Sequence, residues 1–467
     1  MIQKIIFRTI CILGITFQVQ MYAQIKISSD VQNALLSTKE RSYTIKEKQH
    51  AVSKTELEAT KIKHKRIPTL SATGGIAHFK NDAVLDLAPV ALPILPIQLF
   101  EGSQGLSAKG NIVGGGLMAK SVLFSGLQIP KATKALQTKA EAEKLLLEAE
   151  SETVSRQVLI ALDNLEVLKQ VDVLLAESKK RLESEKKRVD KAIEAGLAIP
   201  FDRDKIVLAS LELDAKSKEA EGTRNVLIEQ LSYLTGLTSV EIINIEHHFE
   251  VISMLNTNAL QLENKKELEA LDLFIEAQNL NVERERNSIL PQVAAFGGLQ
   301  YARLFDSKVT LNSMPITGSD LNGNLDNLEI WPNWIIGVGV KWEIFEGMER
   351  KHRIDEAKLD AVLLEDKRKD SEEKLNLLLA KQKSDWETQN EMLGIARQRL
   401  HIATQNLERA EKQYKQGLLS INDRLSSEND YFAAALSLSQ EIAKQRELSI
   451  DLLLTAGSFT QSIEVTP

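Results

Sequence analysis

The chain holds a single cysteine, Cys11, and few aromatic residues, 5% of 467. One thiol cannot build a disulfide framework. Cys11 lies in an apolar N-terminal stretch that reads as a leader, so the mature chain would have no thiolate nucleophile either. Thr9-Ile10 precede it, and no small-residue lipobox marks it for lipidation. Past residue 23 no stretch approaches the roughly 20 apolar residues of a membrane helix. Any crossing of a membrane would therefore fall to strands. Glycine and proline are both missing from Lys131 to Ala195, which permits a helical rod of about 65 residues, roughly 100 Å at 1.5 Å per residue.

A basic surplus is also missing. The formal net charge is −7, and it becomes −9 once Lys4 and Arg8 leave with the leader. Nucleic-acid phosphates select basic surfaces, so no nucleic-acid partner is expected. Seven histidines are scattered, none with the His-Glu-x-x-His or Cys/His spacing of a metal site. His247-His248 are adjacent in a linker, where two rings do not readily converge on one ion. Gly114-Gly115-Gly116-Leu117-Met118-Ala119-Lys120-Ser121 ends like a phosphate loop. No glycine directly precedes Lys120 and no helix starts there, so small residues packing between strands explain it better. No catalytic constellation, metal site or cofactor is expected.

What the chain does have, it has twice. Lys65-Arg66-Ile67-Pro68-Thr69-Leu70-Ser71-Ala72-Thr73-Gly74-Gly75 returns as Asn287-Ser288-Ile289-Leu290-Pro291-Gln292-Val293-Ala294-Ala295-Phe296-Gly297-Gly298. Leu123-Phe124-Ser125-Gly126 returns as Ile344-Phe345-Glu346-Gly347. Phe124 to Gly196 and Phe345 to Gly417 span the same length, at an offset of 221 positions. A repeat overrides length as a guide to domain number. Residues 1–23 read as a secretory signal peptide, with a buried N-terminal helix as the alternative. Residues 24–236 form the first repeat, 237–257 an equatorial linker, 258–457 the second repeat and 458–467 a C-terminal tail. The first repeat contains a helix from Ser28 to about Lys65, a strand Thr69–Phe79, a proline-rich loop 81–109 and a strand Asn111–Phe124. The rod comes next, then a turn at 196–201 and a helix Asp202–Leu234. The second runs through a helix to Ser288, strand 291–303, loop 304–331, strand 333–345, rod 348–416, turn 417–422 and helix 422–455.

The strand ending at Phe345 is two-faced. Trp334, Ile336, Val338, Val340, Trp342 and Ile344 share one side; Ile335, Gly337, Gly339, Lys341 and Glu343 share the other. One side suits lipid, with Trp334 and Trp342 as a girdle near its two ends, and the other suits a watery lumen. The 221 offset sets Lys120 in the place of Lys341, so Lys120, Lys341 and Glu343 are candidate lumen residues. A soluble sandwich strand with one buried face is the competing reading. An open four-stranded sheet leaves unpaired edges, which a bilayer core forbids, so two or three chains would have to pool eight or twelve strands. Along the first rod Val154, Val158, Leu162, Leu165, Leu168, Leu175, Leu182, Val189 and Ile193 make a narrow coiled-coil-like seam. The charge runs Lys179-Lys180-Arg181 and Lys186-Lys187-Arg188 read as a solvated face or a docking site.

These residues resemble the TolC-like outer-membrane efflux channels. The resemblance is carried by the helix-to-strand junctions Arg66-Ile67-Pro68-Thr69-Leu70 and Ser288-Ile289-Leu290-Pro291-Gln292, and by the two turns. Gln413-Tyr414-Lys415-Gln416-Gly417-Leu418-Leu419-Ser420-Ile421-Asn422-Asp423 is similar to the family's tyrosine, glycine and aspartate turn; Gly196 to Asp202 repeats the step of six. The resemblance implies a mainly α protein with a transmembrane β-barrel. In a homotrimer, four strands per protomer would make one shared 12-stranded barrel above a long coiled-coil-like helical tunnel. It implies a gated exit duct in the outer membrane of a Gram-negative bacterium, with a large periplasmic part. A periplasmic adaptor protein and an inner-membrane transporter would be its partners, along with outer-membrane lipid.

Gly196, Leu197, Gly417, Leu418 and Ser420 would form the adaptor-docking tip. Asp202 and Tyr414 match positions whose hydrogen bond helps close the entrance, and Asp423 a carboxylate at the constriction; helix capping is the plain alternative for both aspartates. The chain departs from the family at Leu419 and Ser426, where polar gate residues are expected, and Arg203 and Arg424 are the candidates to compensate. A secreted coiled-coil scaffold or adhesin with a small β cap is the competing function, and an enzyme a more distant one.

Overall fold

The computed structural model describes residues 24–86, 90–91, 98–100, 103–253, 260–262, 264–312, 319–325 and 328–466. The expected leader and the apex of the proline-rich loop lie outside them. In the first repeat β1 (Ile25–Ser28) leads into α1 (Ser29–Arg41) and α2 (Tyr43–Lys63). There follow β2 (Thr69–Asp86), the short β3 (Val90–Ala91) and β4 (Gln98–Phe100), β5 (Ser103–Phe124), the rod α3 (Gln128–Glu194), α4 (Pro200–Thr235) and, in the linker, α5 (Ser239–Ile243). The second repeat holds α6 (Lys266–Arg286), β6 (Gln292–Leu311), β7 (Leu321–Asn324), β8 (Leu328–Lys341), the rod α7 (Glu349–Lys415) and α8 (Ile421–Ala456), and the tail holds β9 (Ile463–Thr466).

The duplication is written into the backbone. Each rod has 67 residues and each returning helix 36. Glycines with positive φ punctuate both copies at equivalent places: Gly126 and Gly347, Gly196 and Gly417, Gly236 and Gly457, each pair 221 positions apart. Only a residue without Cβ takes the left-handed conformation cheaply, so Gly196, Gly236, Gly417 and Gly457 turn the chain at helix ends, and Gly126 and Gly347 turn it just before the two rods begin.

Compactness divides the chain differently from the repeats. One unit combines the residues up to Lys54 with Lys139–Ile275 and those from Val362; the other combines Thr55–Thr138 with Glu276–Ala361. Each unit draws on both repeats, and the division falls inside α2, α3, α6 and α7.

The second unit holds the sheet. β2 pairs antiparallel with β5, β5 with β6, and β6 with β8, with β7 on the far end of β6. The β5–β6 ladder joins the two repeats. The strands outrun the expectation: loops 81–109 and 304–331 are narrower because pairing continues from Phe79↔Gly110 to Asp86↔Ser103 and β6 stays paired to Leu311. Polar cross-strand bonds hold this extension, including Ser107 Oγ to Asp82 at 2.6 Å and His78 to Asn111 at 2.9 Å. β8, in contrast, stops at Lys341 rather than Phe345. The indole of Trp342 donates to Ile289 O at 2.9 Å and Arg350 donates to Glu343 O, which draws the chain off the ladder.

The first unit holds the apolar core. Val154, Val158, Leu159, Leu162 and Leu165 of α3 meet Val31 and Leu35 of α1, Ile228 and Leu231 of α4, and Ile450, Leu452 and Leu453 of α8. Farther along α3 the seam continues through Leu175, Leu182 and Val189 against Ile206 and Leu213 of α4. Of the nine seam positions read from the sequence, Leu168 and Ile193 alone are only partly buried.

Two elements differ from expectation here. The single helix Ser28–Lys65 breaks at Ser42, whose N–H closes α1 on Thr38 O while its side chain turns to Thr44 and Ile45. The tail 458–467 is no loose end: β9 pairs in parallel with β1, Ile25↔Ile463 through Ser28↔Thr466.

Candidate functional site

The sheet carries the two-faced pattern across all four long strands. Ladder partners point to the same side, so Trp334, Leu299, Leu117 and Ala72 form one row, and Ile336, Gly297, Ala119 and Leu70 the next. This side is apolar and open, with Trp334 64% and Ile336 77% exposed. The opposite side carries Asn333, Gln300, Gly116 and Thr73 in one row and Gly337, Phe296, Lys120 and Thr69 in another, with Lys341 beside Gln292. Lys120 and Lys341 thus share the polar side. The Phe296 ring abuts a glycine there: a Cβ on Gly337 would come within 2.9 Å of it. The run Gly114–Gly116 sits in β5 with no room for side chains, since a Cβ on Gly116 would meet Leu299 O at 2.7 Å.

Two of the expected lumen and girdle residues lie past the strand's end. Glu343 lies beyond the end of β8, where it ion-pairs with Lys341 instead of taking its own place on the strand. Trp342 is likewise off the ladder, tethered by its indole N–H. Among the described residues, β2 and β8 each have a long-strand partner on one side alone.

The turns occupy the other unit. After α3, Gly196 N–H bonds Ile193 O at 3.0 Å and Leu197 N–H bonds Ala192 O at 2.7 Å. After α7, Gly417 and Leu418 repeat the pattern with Tyr414 O and Gln413 O. The turns present apolar side chains to solvent, Leu197 at 84% and Leu418 at 73% exposure, beside exposed Ile199 and Phe201. Lys205 of α4 joins them by donating to Asn422 Oδ1 at 2.5 Å while stacking on Phe201.

Both aspartates serve the helix starts, though neither is the capping residue itself. Asp202 Oδ2 accepts the Ile199 N–H at 3.4 Å, and Pro200 opens the helix with a nitrogen that needs no partner. Ser420 caps α8, accepting Asp423 N–H at 3.2 Å and donating to Asp423 Oδ2 at 2.6 Å. No hydrogen bond joins Tyr414 to Asp202 among the described residues. Burial raises the Tyr414 pKa, and the carboxylates of Glu185 and Asp202 raise it further. Arg203 stays outside and pairs with its neighbour Asp204 at 3.3 Å.

Arg424 departs furthest from expectation. It is 1% exposed, the largest fully buried side chain in the chain's described part, and it faces Glu428 at 3.1 Å and Glu411 at 3.6 Å rather than an opening. Glu428 also accepts from Ser178 at 2.7 Å and from Arg181 at 2.9 Å. A second enclosed group lies farther along α8: Asp163 Oδ1 accepts from Arg446 at 2.7 Å and meets His247 Nε2 at 2.5 Å, while His248 turns away to Thr466. The histidines therefore have different partners. The sequence reading missed Ser178, Arg181, Glu428, Asp163 and Arg446; a usable signal was present, because Ser178 and Glu185 take polar places on an otherwise apolar seam with Leu175, Leu182 and Val189.

Residues 259–458 match the family model for outer membrane efflux proteins. No curated protein sequence matches the chain. Solved structures share its fold. The outer membrane protein VceC of Vibrio cholerae superposes with a TM-score of 0.65 at 14% identity, over 92% of this chain and 96% of that one. The CmeC outer membrane channel of Campylobacter jejuni gives 0.66 at 14%, over 92% and 86%. The MtrE outer membrane channel of Neisseria gonorrhoeae, in its open state, gives 0.65 at 14%, over 94% and 91%.

Proposed function

We propose that this chain, an outer membrane efflux protein by the sequence of its second repeat and by its fold, is the exit duct of a tripartite export system in a Gram-negative outer membrane. Three copies would pool twelve strands into one barrel, and their rods would enclose a periplasmic tunnel. A periplasmic adaptor docks on the turns at Gly196, Leu197, Gly417, Leu418 and Ser420, and an inner-membrane transporter supplies the substrate and the work. The duct itself performs no chemistry.

The observation that carries this reading is the sheet. Four long antiparallel strands have an open apolar side, and their outer strands β2 and β8 lack a further long-strand partner among the described residues. In hydrocarbon each unpaired backbone group costs several kcal/mol, so the edges need neighbours of the same kind, and identical chains provide them. Trp334 then belongs at a lipid interface and Lys120 and Lys341 in the lumen. A ring of cationic side chains in a pore draws anions and slows cations.

Cysteine labelling tests the placement. Lys120→Cys and Lys341→Cys should react with a membrane-impermeant thiol reagent, whereas Ile336→Cys should react only with a lipid-soluble one. Recovery of the protein in the soluble periplasmic fraction, with no oligomer, would favour the scaffold reading.

A further inference from the structure

The strands run on past the apolar rows, and their charges are arranged differently there. On the side that carries Trp334, Leu299, Leu117 and Ala72, alternation leads first to Tyr301, whose ring stands edge-on to Trp331 with centroids 6.2 Å apart. Ile76, Val113 and Arg303 come next, and Arg303 has an acid, Glu329, as its ladder partner. His78 and Asn111 follow, bonded to each other at 2.9 Å. The row after that is Lys80, Lys109 and Lys308, each the ladder partner of the next, with Asn324 of β7 beside Lys308. All three lysines are exposed. Four residues separate Ile76 from Lys80, roughly 13 Å of strand.

Like charges placed directly opposite each other destabilise a sheet. Here two such pairings come in succession, Lys80 with Lys109 and Lys109 with Lys308. Asp82 answers part of this charge: it lies 3.8 Å from Lys80, and it also accepts from Ser107 at 2.6 Å. Lys109 and Lys308 have no ion-pair partner among the described residues. Protection of a sheet edge, an ordinary use of strand lysines, accounts for Lys80 on β2. It does not account for the other two, which sit on the inner strands β5 and β6. A row of mutually repelling cations is relieved by an anion that reaches several of them at once. Side and height narrow the choice of anion. The lysines share the side of the apolar rows, opposite to that of Lys120 and Lys341, and they follow the last apolar row. In a sheet that spans a bilayer, that is the level of the headgroups.

We infer that Lys80, Lys109 and Lys308 form a seat for the phosphate groups of a phosphorylated glycolipid in the outer leaflet, and so fix the height of the sheet in the membrane. This inference rests on the exit-duct reading, because it needs the apolar side to face lipid. A phosphate offers several acceptor oxygens to ammonium groups carried on flexible stems, and each lysine near an anionic surface adds to the affinity.

Native mass spectrometry of the full mature chain in detergent tests it, with doubly phosphorylated lipid A and the same lipid stripped of its phosphates as probes. The parent should bind the phosphorylated form about tenfold or more tightly. Lys109→Gln should weaken that binding about fivefold, and Lys80→Gln, Lys109→Gln and Lys308→Gln together should abolish the preference. Arginine at the three positions should keep it. Glutamine in place of the exposed Lys218, Lys374 and Lys444, which removes equal charge from the helices, should leave it unchanged. A parent that binds both lipids alike would overturn the seat, as would a triple variant that keeps the preference. Displacement of the lipid by an equal concentration of inorganic phosphate would overturn it too, since the row would then hold a free anion. The comparison of the two lipids on the parent decides even if a variant misfolds. A parent that conducts in planar bilayers and ignores the phosphates would leave the duct standing without the seat. One that stays soluble without detergent and binds neither lipid would overturn the duct reading, and the seat with it.

Discussion

At the core end of α8, Leu452 and Leu453 are fully enclosed, Trp386 of α7 donates to Ser449 Oγ at 2.9 Å, and even the charges of Asp163 and Arg446 are sealed among aliphatic side chains. At the turn end the same helix starts from an exposed capping serine, buries Ile421 and Phe432 against α3 and α4, and pairs Glu428 with Arg181 of α3. Burial of apolar area supplies most of the stability of a fold, while a directional ion set supplies a position that can be given up. One helix is thus rooted in aliphatic packing at one end and in a charged cluster at the other.

The comparison can be broken from either end. The largest loss should come from Asp163→Ala, which strips Arg446 and His247 of their shared carboxylate; leaving a buried charge unpaired costs about 3–5 kcal/mol, measured by denaturant unfolding. Next is Leu453→Ala, with a cost of about 2–5 kcal/mol from lost burial and the cavity left behind, read as a lower melting temperature. The smallest is Ser420→Ala, which removes the cap that Asp423 depends on and costs about 1 kcal/mol. It should make the second turn more sensitive to protease while the core melts as before. A reversed ranking, with the cap variant more damaging than the core variants, would mean that the turn end holds the fold together.

Much of this architecture could be read along the chain, because it depends on local signals. The absence of glycine and proline from Lys131 to Ala195 gave away α3, and the glycines at 196, 236, 417 and 457 gave away the ends of helices. Alternation along Trp334 to Val340 separated the two sides of β8 correctly, yet it could not reveal that Trp342 would leave the ladder for Ile289 O. Pairing of β1 with β9 was illegible because four-residue strands at opposite ends of a chain carry no local mark of each other. The charged residues were hardest. Arg181 sits in a lysine-rich run that looks solvated, and its partner Glu428 is 247 positions away. Whether such a charge faces water or a carboxylate depends on which helix packs beside it. Arg424, expected near an opening, is buried for that reason, while Tyr414 and Asp202 interact through charge without a hydrogen bond.

The most direct test of the account is single-channel recording from the purified mature chain in planar bilayers, parent beside Lys120→Glu. An exit duct with Lys120 in its lumen predicts discrete conductance steps from the parent and a shift toward cation selectivity in the variant. A protein that inserts into the bilayer and passes no ion current in either form would contradict it.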